Sequence, residues 1–145
     1  MVKVYTSSVI SAPPDRVWAV IRDFNGLPKW FPGISKSRIE GNEPSDKVGC
    51  VRDFVLSDGG RIREKLLAFS DVGFSFTYSI LESPMGVTGY VATLKLTPVT
   101  DGHRTFAEWS AEFDCDPERR EQMAKFIGQD VFQGGFDALK RTFGG

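Results

Sequence analysis

Six segments with alternating side chains, separated by short turns, most constrain how this chain folds. The candidate strands cover about residues 34–41, 48–56, 60–69, 73–82, 87–98 and 104–115. Gly, Pro, Asn, Asp and Ser fill the gaps between them, and gaps this short join antiparallel neighbours, since parallel strands need long crossovers. The sequence therefore predicts a sheet built from consecutive hairpins.

Helical patterns occur only on either side of this run. An alternating strand at residues 2–10 precedes a helix that is predicted to reach about Asp23, and a second short helix or turn is predicted at residues 29–33. Asp116 as N-cap and Pro117 in the first turn predict the start of a long C-terminal helix. The prediction is an α+β fold with a seven-stranded antiparallel sheet, whose apolar face the long helix covers.

Length and charge exclude several classes of protein. A chain of 145 residues fits one domain, predicted at residues 1–145. The net charge of −1 comes without a basic stripe, which argues against a nucleic-acid partner. We expect no membrane span, because no apolar segment is long enough, and the start lacks the apolar segment of a signal peptide, so a cytoplasmic location is predicted. His103 is the only histidine, and we predict neither a metal site nor a cofactor.

The strand near residues 60–69 places an acidic residue on an apolar face. Alternation separates a cationic set from an apolar set that includes one carboxylate: Arg61, Arg63 and Lys65 against Ile62, Glu64, Leu66 and Ala68. A buried carboxylate needs a partner, a proton or a water-filled cavity. The alternative is a bulge or a different register that turns Glu64 outward, which Leu67 and Phe69 on the cationic face favour.

The next three strands carry an apolar stripe on one face. Its members are Phe74, Phe76, Tyr78, Ile80, Tyr90, Ala92, Leu94, Leu96, Ala107, Trp109, Ala111 and Phe113. Core packing accounts for most of them, but a buried tyrosine hydroxyl needs a hydrogen-bond partner. Tyr78 and Tyr90 could therefore join Glu64 in a mostly apolar binding site. Gly134-Gly135, in the middle of the long helix, indicates either close contact with the sheet or space for a ligand.

Several motifs together resemble a known superfamily. They are Ser11-Ala12-Pro13-Pro14-Asp15-Arg16-Val17-Trp18, Trp30-Phe31-Pro32-Gly33-Ile34, Val48-Gly49-Cys50-Val51-Arg52-Asp53, Ile62-Arg63-Glu64-Lys65-Leu66, Tyr78-Ser79-Ile80 and Gly89-Tyr90. In this order they resemble the START-like, or SRPBCC, superfamily, which includes polyketide cyclase/dehydrase-like proteins, the birch-pollen-allergen family and the abscisic-acid receptors. The resemblance implies a helix-grip fold, in which a curved sheet wraps the C-terminal helix around an apolar cavity.

The resemblance to the abscisic-acid receptors also implies pocket residues. These are Phe31, Arg52, Phe54, Ile62, Glu64, Tyr78, Ile80, Met85, Val87, Tyr90, Ala92, Ile127, Val131 and Gly135, to which strand alternation adds Trp109. Phe31 replaces the lysine that holds the hormone's carboxylate in those receptors, and the gate and latch loops differ, so abscisic acid is a poor candidate. The replacements make the expected pocket more apolar.

Three functions remain open from the sequence. The first is binding of a small, largely apolar molecule, such as a lipid, polyketide or aromatic metabolite, in an internal cavity. Glu64 and Arg52 would hold its polar end, or would pair only with each other. The second is a polyketide cyclase or dehydratase-like enzyme that uses Glu64 as the acid/base. The third is a module that binds a protein partner. Separately, we expect the chain to be a monomer or a homodimer.

Overall fold

The computed structural model of the protein describes residues 1–144 and shows one curved antiparallel sheet. Its strands are β1 (Val2–Ile10), β2 (Ile34–Ile39), β3 (Val51–Leu56), β4 (Arg61–Ser70), β5 (Ser75–Glu82), β6 (Thr88–Val99) and β7 (Arg104–Asp114). They lie in the order β1-β7-β6-β5-β4-β3-β2. Apart from β1, which joins the edge at β7, every strand pairs with its neighbour in sequence, as the short turns predict.

Two short helices and one long helical segment complete the fold. Between β1 and β2 lie α1 (Pro14–Ile21), a 3₁₀ turn (Phe24–Gly26) and α2 (Leu27–Trp30). The C-terminal segment begins with a 3₁₀ turn (Pro117–Arg119) and continues as α3 (Arg120–Lys125), a π-helical segment (Phe126–Gln133) and α4 (Gly134–Thr142). The helix-grip prediction is confirmed. No helix among residues 1–144 is long and apolar enough to cross a membrane.

Two predicted helix ends differ from the structure. The helix predicted to reach Asp23 ends at Ile21, because the Asp23 carboxylate accepts a hydrogen bond from the Asn25 backbone N–H at 3.0 Å and starts the 3₁₀ turn. Asp116 precedes the C-terminal segment as predicted, but its side chain makes no capping hydrogen bond.

Alternation correctly predicts the inward faces of β6 and β7. Leu94 lies opposite Trp109, and Ala92 lies opposite Ala111, and all four side chains are buried. The C-terminal helix packs against this face, and the Trp109 ring stacks on Phe132 with centroids 4.6 Å apart. Phe136 lies 5.9 Å from the same ring. This part of the interior, which we call the Trp109 core, is filled by side chains.

A bulge in β4 overturns one prediction from alternation. Ile62, Glu64 and Leu66 face inward, but Ala68 is exposed. The register with β5 shifts between Leu66 and Ala68, and the extra residue reverses the alternation beyond it. Phe69 therefore turns inward, with its ring 5.5 Å from that of Trp18.

The predicted strand 73–82 also begins later than expected. Phe74 adopts a positive φ of 52° in the turn before β5, so it does not belong to the strand's alternating face. Its half-buried ring still reaches Trp18, at a centroid distance of 6.1 Å.

Candidate ligand-binding site

A cavity of about 250 Å³ lies between the concave face of the sheet and the C-terminal helix. At the density of liquid water this volume equals roughly eight water molecules. Its wall is formed by Leu27, Phe31, Ile34, Arg52, Phe54, Leu56, Ile62, Glu64, Tyr78, Ile80, Met85, Tyr90, Trp109, Phe126, Ile127, Asp130 and Val131. The wall is largely apolar, and its few polar groups are described below.

Most of the pocket residues predicted from the sequence lie in this wall. They are Phe31, Arg52, Phe54, Ile62, Glu64, Tyr78, Ile80, Met85, Tyr90, Trp109, Ile127 and Val131. Strand alternation and the resemblance thus locate the cavity on the correct face of β3, β4, β5, β6 and β7.

Three predicted pocket residues, Val87, Ala92 and Gly135, lie outside the wall. Ala92 is buried between its cross-strand neighbours Tyr78 and Ala111, and Val87 is half-buried at the end of the β5–β6 loop.

Gly135 marks a close contact between helix and sheet. A Cβ at this position would lie 2.8 Å from Trp109 Cζ3 and 3.0 Å from Phe31 Cε2. Both distances are shorter than ordinary packing allows, so the glycine lets two aromatic rings approach the helix backbone. Of the two interpretations of Gly134-Gly135, close packing is correct for Gly135.

Five wall residues were not predicted from the sequence: Leu27, Ile34, Leu56, Phe126 and Asp130. Leu27 and Ile34 lie close to Phe31 in the sequence, and this proximity could have identified them as wall residues. Phe126 and Asp130 lie in the π-helical segment, which also contributes Ile127 and Val131 to the wall. Nothing in the local sequence predicts a π-helix, and such segments often occur at functional sites.

The cavity opens to solvent at one end, which we call the mouth. Phe126, 40% exposed, and the exposed Asp130 contribute from the helix, and the half-buried Leu56 and Met85 contribute from the β3–β4 and β5–β6 turns. Arg119 holds the second turn in place, because its Nη2 donates to the Met85 carbonyl at 2.7 Å. The mouth is therefore built from two hairpin turns and the π-helical segment.

A buried ion pair lies in the cavity wall. The β3–β4 register places Arg52 opposite Glu64, and Arg52 Nε donates to Glu64 Oε1 at 2.8 Å, with Nη2 2.7 Å from the same oxygen. The side chains are 5% and 8% exposed. Glu64 therefore faces inward, which excludes the alternative of an outward-facing residue, and it also forms the predicted pair with Arg52.

The Arg52 guanidinium has further partners inside the protein. Its Nη1 donates to the Phe24 carbonyl at 3.1 Å, and its Cζ lies 3.9 Å from the centroid of the Phe24 ring. A cation over an aromatic face is attracted by the electron density of the ring. Arg52 is thus fixed by Glu64 on one side and by Phe24 on the other.

One oxygen of Glu64 remains available to the cavity. Both contacts from Arg52 end on Oε1, and no residue among 1–144 donates to Oε2. Because no side-chain oxygen or nitrogen of these residues is both buried and without a partner, Oε2 retains access to the cavity. Burial raises the pKa of Glu64 above its ordinary value, and the charge of Arg52 opposes this shift.

Two tyrosine hydroxyls accompany this carboxylate. The Tyr78 hydroxyl accepts a hydrogen bond from Trp109 Nε1 at 3.1 Å, and Tyr90 also lines the cavity. Burial, followed by the charge of Glu64, raises the pKa of Tyr78. Burial likewise raises the pKa of Tyr90 well above its ordinary value. Both hydroxyls therefore keep their protons at neutral pH and can act as donors.

Comparison with known proteins places the chain in a family. The family model described as "Polyketide cyclase / dehydrase and lipid transport" matches residues 1–144. Among solved structures, the protein XoxI from Bacillus cereus is similar, with 32% identity, a TM-score of 0.87 and coverage of 99% of this chain and 96% of that chain.

Two further structures are similar over nearly their whole length. An uncharacterised protein from Bacillus thuringiensis shows 30% identity and a TM-score of 0.87, with 99% of both chains covered. A protein from Thermobifida fusca shows 27% identity and a TM-score of 0.89, with coverage of 99% of this chain and 94% of that chain. The START-like resemblance is confirmed: the chain belongs to the polyketide cyclase/dehydrase and lipid transport family.

Proposed function

We propose that the protein binds a small, largely apolar molecule, such as a lipid, a polyketide or an aromatic metabolite, in the cavity between sheet and helix. The observation that carries this proposal is the cavity itself, which is apolar over most of its wall and has a few polar groups gathered around Glu64. Small-molecule sites typically combine these two features. The family's description, which includes lipid transport, supports the same general function.

The contrast with the Trp109 core supports this proposal. Protein interiors are normally packed as densely as organic crystals, and the rings of Trp109, Phe132 and Phe136 meet this expectation. The cavity borders the same tryptophan, yet side chains leave about 250 Å³ there. Unfilled volume costs stability, and a ligand-binding function explains why it is retained.

The test measures binding of the neutral fluorescent probe N-phenyl-1-naphthylamine to the purified full chain. We expect one probe per chain and loss of binding in Val131→Trp, because the indole would fill the cavity. Val91→Trp is the matched control, since Val91 is partly exposed on β6 and does not line the cavity. If Val131→Trp fails to fold, Ile80→Phe fills the same space from the sheet.

Two results would contradict binding in the cavity. One is the absence of any probe binding, and the other is equal binding by Val131→Trp and Val91→Trp. Native mass spectrometry of the purified protein complements the test, because a small molecule that remains bound through purification would identify the ligand.

Acid/base catalysis by Glu64 is the second candidate function. The raised pKa of Glu64 and its accessible Oε2 favour it, because a general acid or base works best with a pKa near the working pH. The pairing with Arg52 opposes it, because the pair stabilises the charged carboxylate. If a co-purified molecule is converted by the protein, and Glu64→Gln abolishes the conversion, the function is catalytic; if it is bound unchanged, the function is binding.

A further inference from the structure

We propose that the cavity selects ligands whose buried end is a neutral hydroxyl, as in a phenol or an alcohol, and rejects carboxylates. This inference rests on the proposed binding function and adds a ligand class to it. It follows from the hydrogen bonds that Arg52, Glu64 and Tyr78 have already formed and from those they can still form.

Arg52 is the only cationic side chain in the described cavity wall, and it is already engaged. Two of its nitrogens contact Glu64 Oε1, and a third donates to the Phe24 carbonyl. A ligand anion would have to compete with Glu64 for this guanidinium. The polar end of the cavity therefore presents a neutralised ion pair.

A charged ligand end is unfavourable next to this pair. A carboxylate would approach the free Oε2 of Glu64, where like charges and lone pairs repel one another. An ammonium group could donate to the same oxygen, but it would bring a second positive charge next to Arg52. In both cases the charge loses its water against a largely apolar wall, a cost that only direct pairing offsets.

A hydroxyl group can form the hydrogen bonds that Glu64 and the tyrosines still have available. It can donate its proton to Glu64 Oε2 and accept one from a tyrosine, because a hydroxyl is both donor and acceptor. Tyr78 oxygen already accepts from Trp109 Nε1, so the Tyr78 proton is available to a ligand. The guanidinium carbon of Arg52 lies 5.1 Å from the centroid of the Tyr78 ring, which places the tyrosine close to the ion pair.

The test compares two ligands with the same bicyclic body, 2-naphthol and naphthalene-2-carboxylate, on the purified full chain near pH 8. Each ligand competes with N-phenyl-1-naphthylamine, and fluorescence reports its displacement. We expect 2-naphthol to bind at least about tenfold more tightly. Equal or tighter binding of the carboxylate overturns the inference. If the probe itself does not bind, the proposed function has failed rather than this selectivity.

The variant Glu64→Gln should reverse the preference. Loss of the carboxylate frees Arg52 to pair with a ligand anion, so naphthalene-2-carboxylate should gain about tenfold or more over 2-naphthol. Glu108→Gln makes the same chemical change outside the cavity, where Glu108 accepts a hydrogen bond from Tyr5 at 2.7 Å, and should leave the preference unchanged. An unchanged preference in Glu64→Gln contradicts the inference.

If Glu64→Gln does not fold, Tyr78→Phe keeps the ion pair and removes one donor. It should weaken 2-naphthol several-fold relative to naphthalene, which has no polar group. A purely structural role of the hydroxyl would weaken both ligands equally, and that result would overturn the inference.

Discussion

Two adjacent residues of β3 form ion pairs on opposite faces of the sheet. Arg52 faces the cavity and pairs with Glu64 on β4. Asp53 faces outward and pairs with Arg61 on the same neighbouring strand, with Arg61 Nε donating to Asp53 Oδ1 at 2.8 Å. The pKa of the Glu64 carboxyl is raised by burial, whereas hydrogen bonding to Arg61 lowers the pKa of Asp53. Pairing with an arginine thus accompanies a raised carboxyl pKa on the inner face and a lowered carboxyl pKa on the outer face.

The surroundings of the two pairs explain this difference. Both members of the inner pair are almost completely buried, at 5% and 8% exposure, so the loss of hydration outweighs the attraction between them. The Asp53 side chain is also only 6% exposed, but its partners Arg61 and Arg38 are 52% and 66% exposed, so water remains close to the outer pair. The environment, rather than the pairing, therefore decides whether the pKa of the carboxyl group is raised or lowered.

The largest expected effect comes from breaking the inner pair. Arg52→Met leaves the Glu64 carboxylate buried without a partner, and we expect a loss of about 3–5 kcal/mol in the free energy of unfolding near neutral pH. Urea denaturation followed by circular dichroism measures it. The matched variant Arg61→Met breaks the outer pair and should cost much less, because Arg38 still lies 3.0 Å from Asp53. Equal losses in the two variants would contradict the comparison.

Replacing both members of the inner pair should recover most of this loss. In Arg52→Met combined with Glu64→Leu no buried charge remains, and we expect a free energy of unfolding within about 1 kcal/mol of the parent or higher. The same urea experiment applies. A double variant as unstable as Arg52→Met alone would show that the pair contributes more than mutual neutralisation.

The smallest expected effect is the dependence of stability on pH, which should have opposite sign for the two carboxyl groups. The raised pKa of Glu64 adds stability that is complete below its unfolded pKa and is lost as pH rises through its folded pKa. The lowered pKa of Asp53 adds stability that is complete above its unfolded pKa and is lost as pH falls through its folded pKa.

Urea denaturation between about pH 3 and pH 8 tests both signs. Glu64→Gln should remove the decline that occurs as pH rises, and Asp53→Asn should remove part of the loss on acidification. If the two substitutions changed the pH profile in the same direction, the assignment of the two environments would be wrong.

Side-chain orientation was predictable from the sequence where the secondary structure is regular. Leu94 and Trp109 were assigned correctly because alternation holds along regular strands. Ala68 was assigned wrongly because a bulge changed the phase of β4. Phe126 and Asp130, which were missed, lie where the C-terminal helix departs from α-helical geometry. These errors lie where the backbone departs from regular geometry, whereas Leu56 and Ala92, which were also assigned wrongly, lie in strands.

By itself, the sequence determined the antiparallel order of the hairpins and favoured an inward-facing Glu64, since both depend on side-chain alternation and turn residues that are local to each strand. Only the tertiary structure decided that a cavity remains beside the Trp109 core, that Arg52 contacts one oxygen of Glu64 and leaves the other available, and that a π-helical segment forms part of the mouth. These features depend on how side chains from distant segments pack together in a shared volume, and local sequence patterns do not determine that packing.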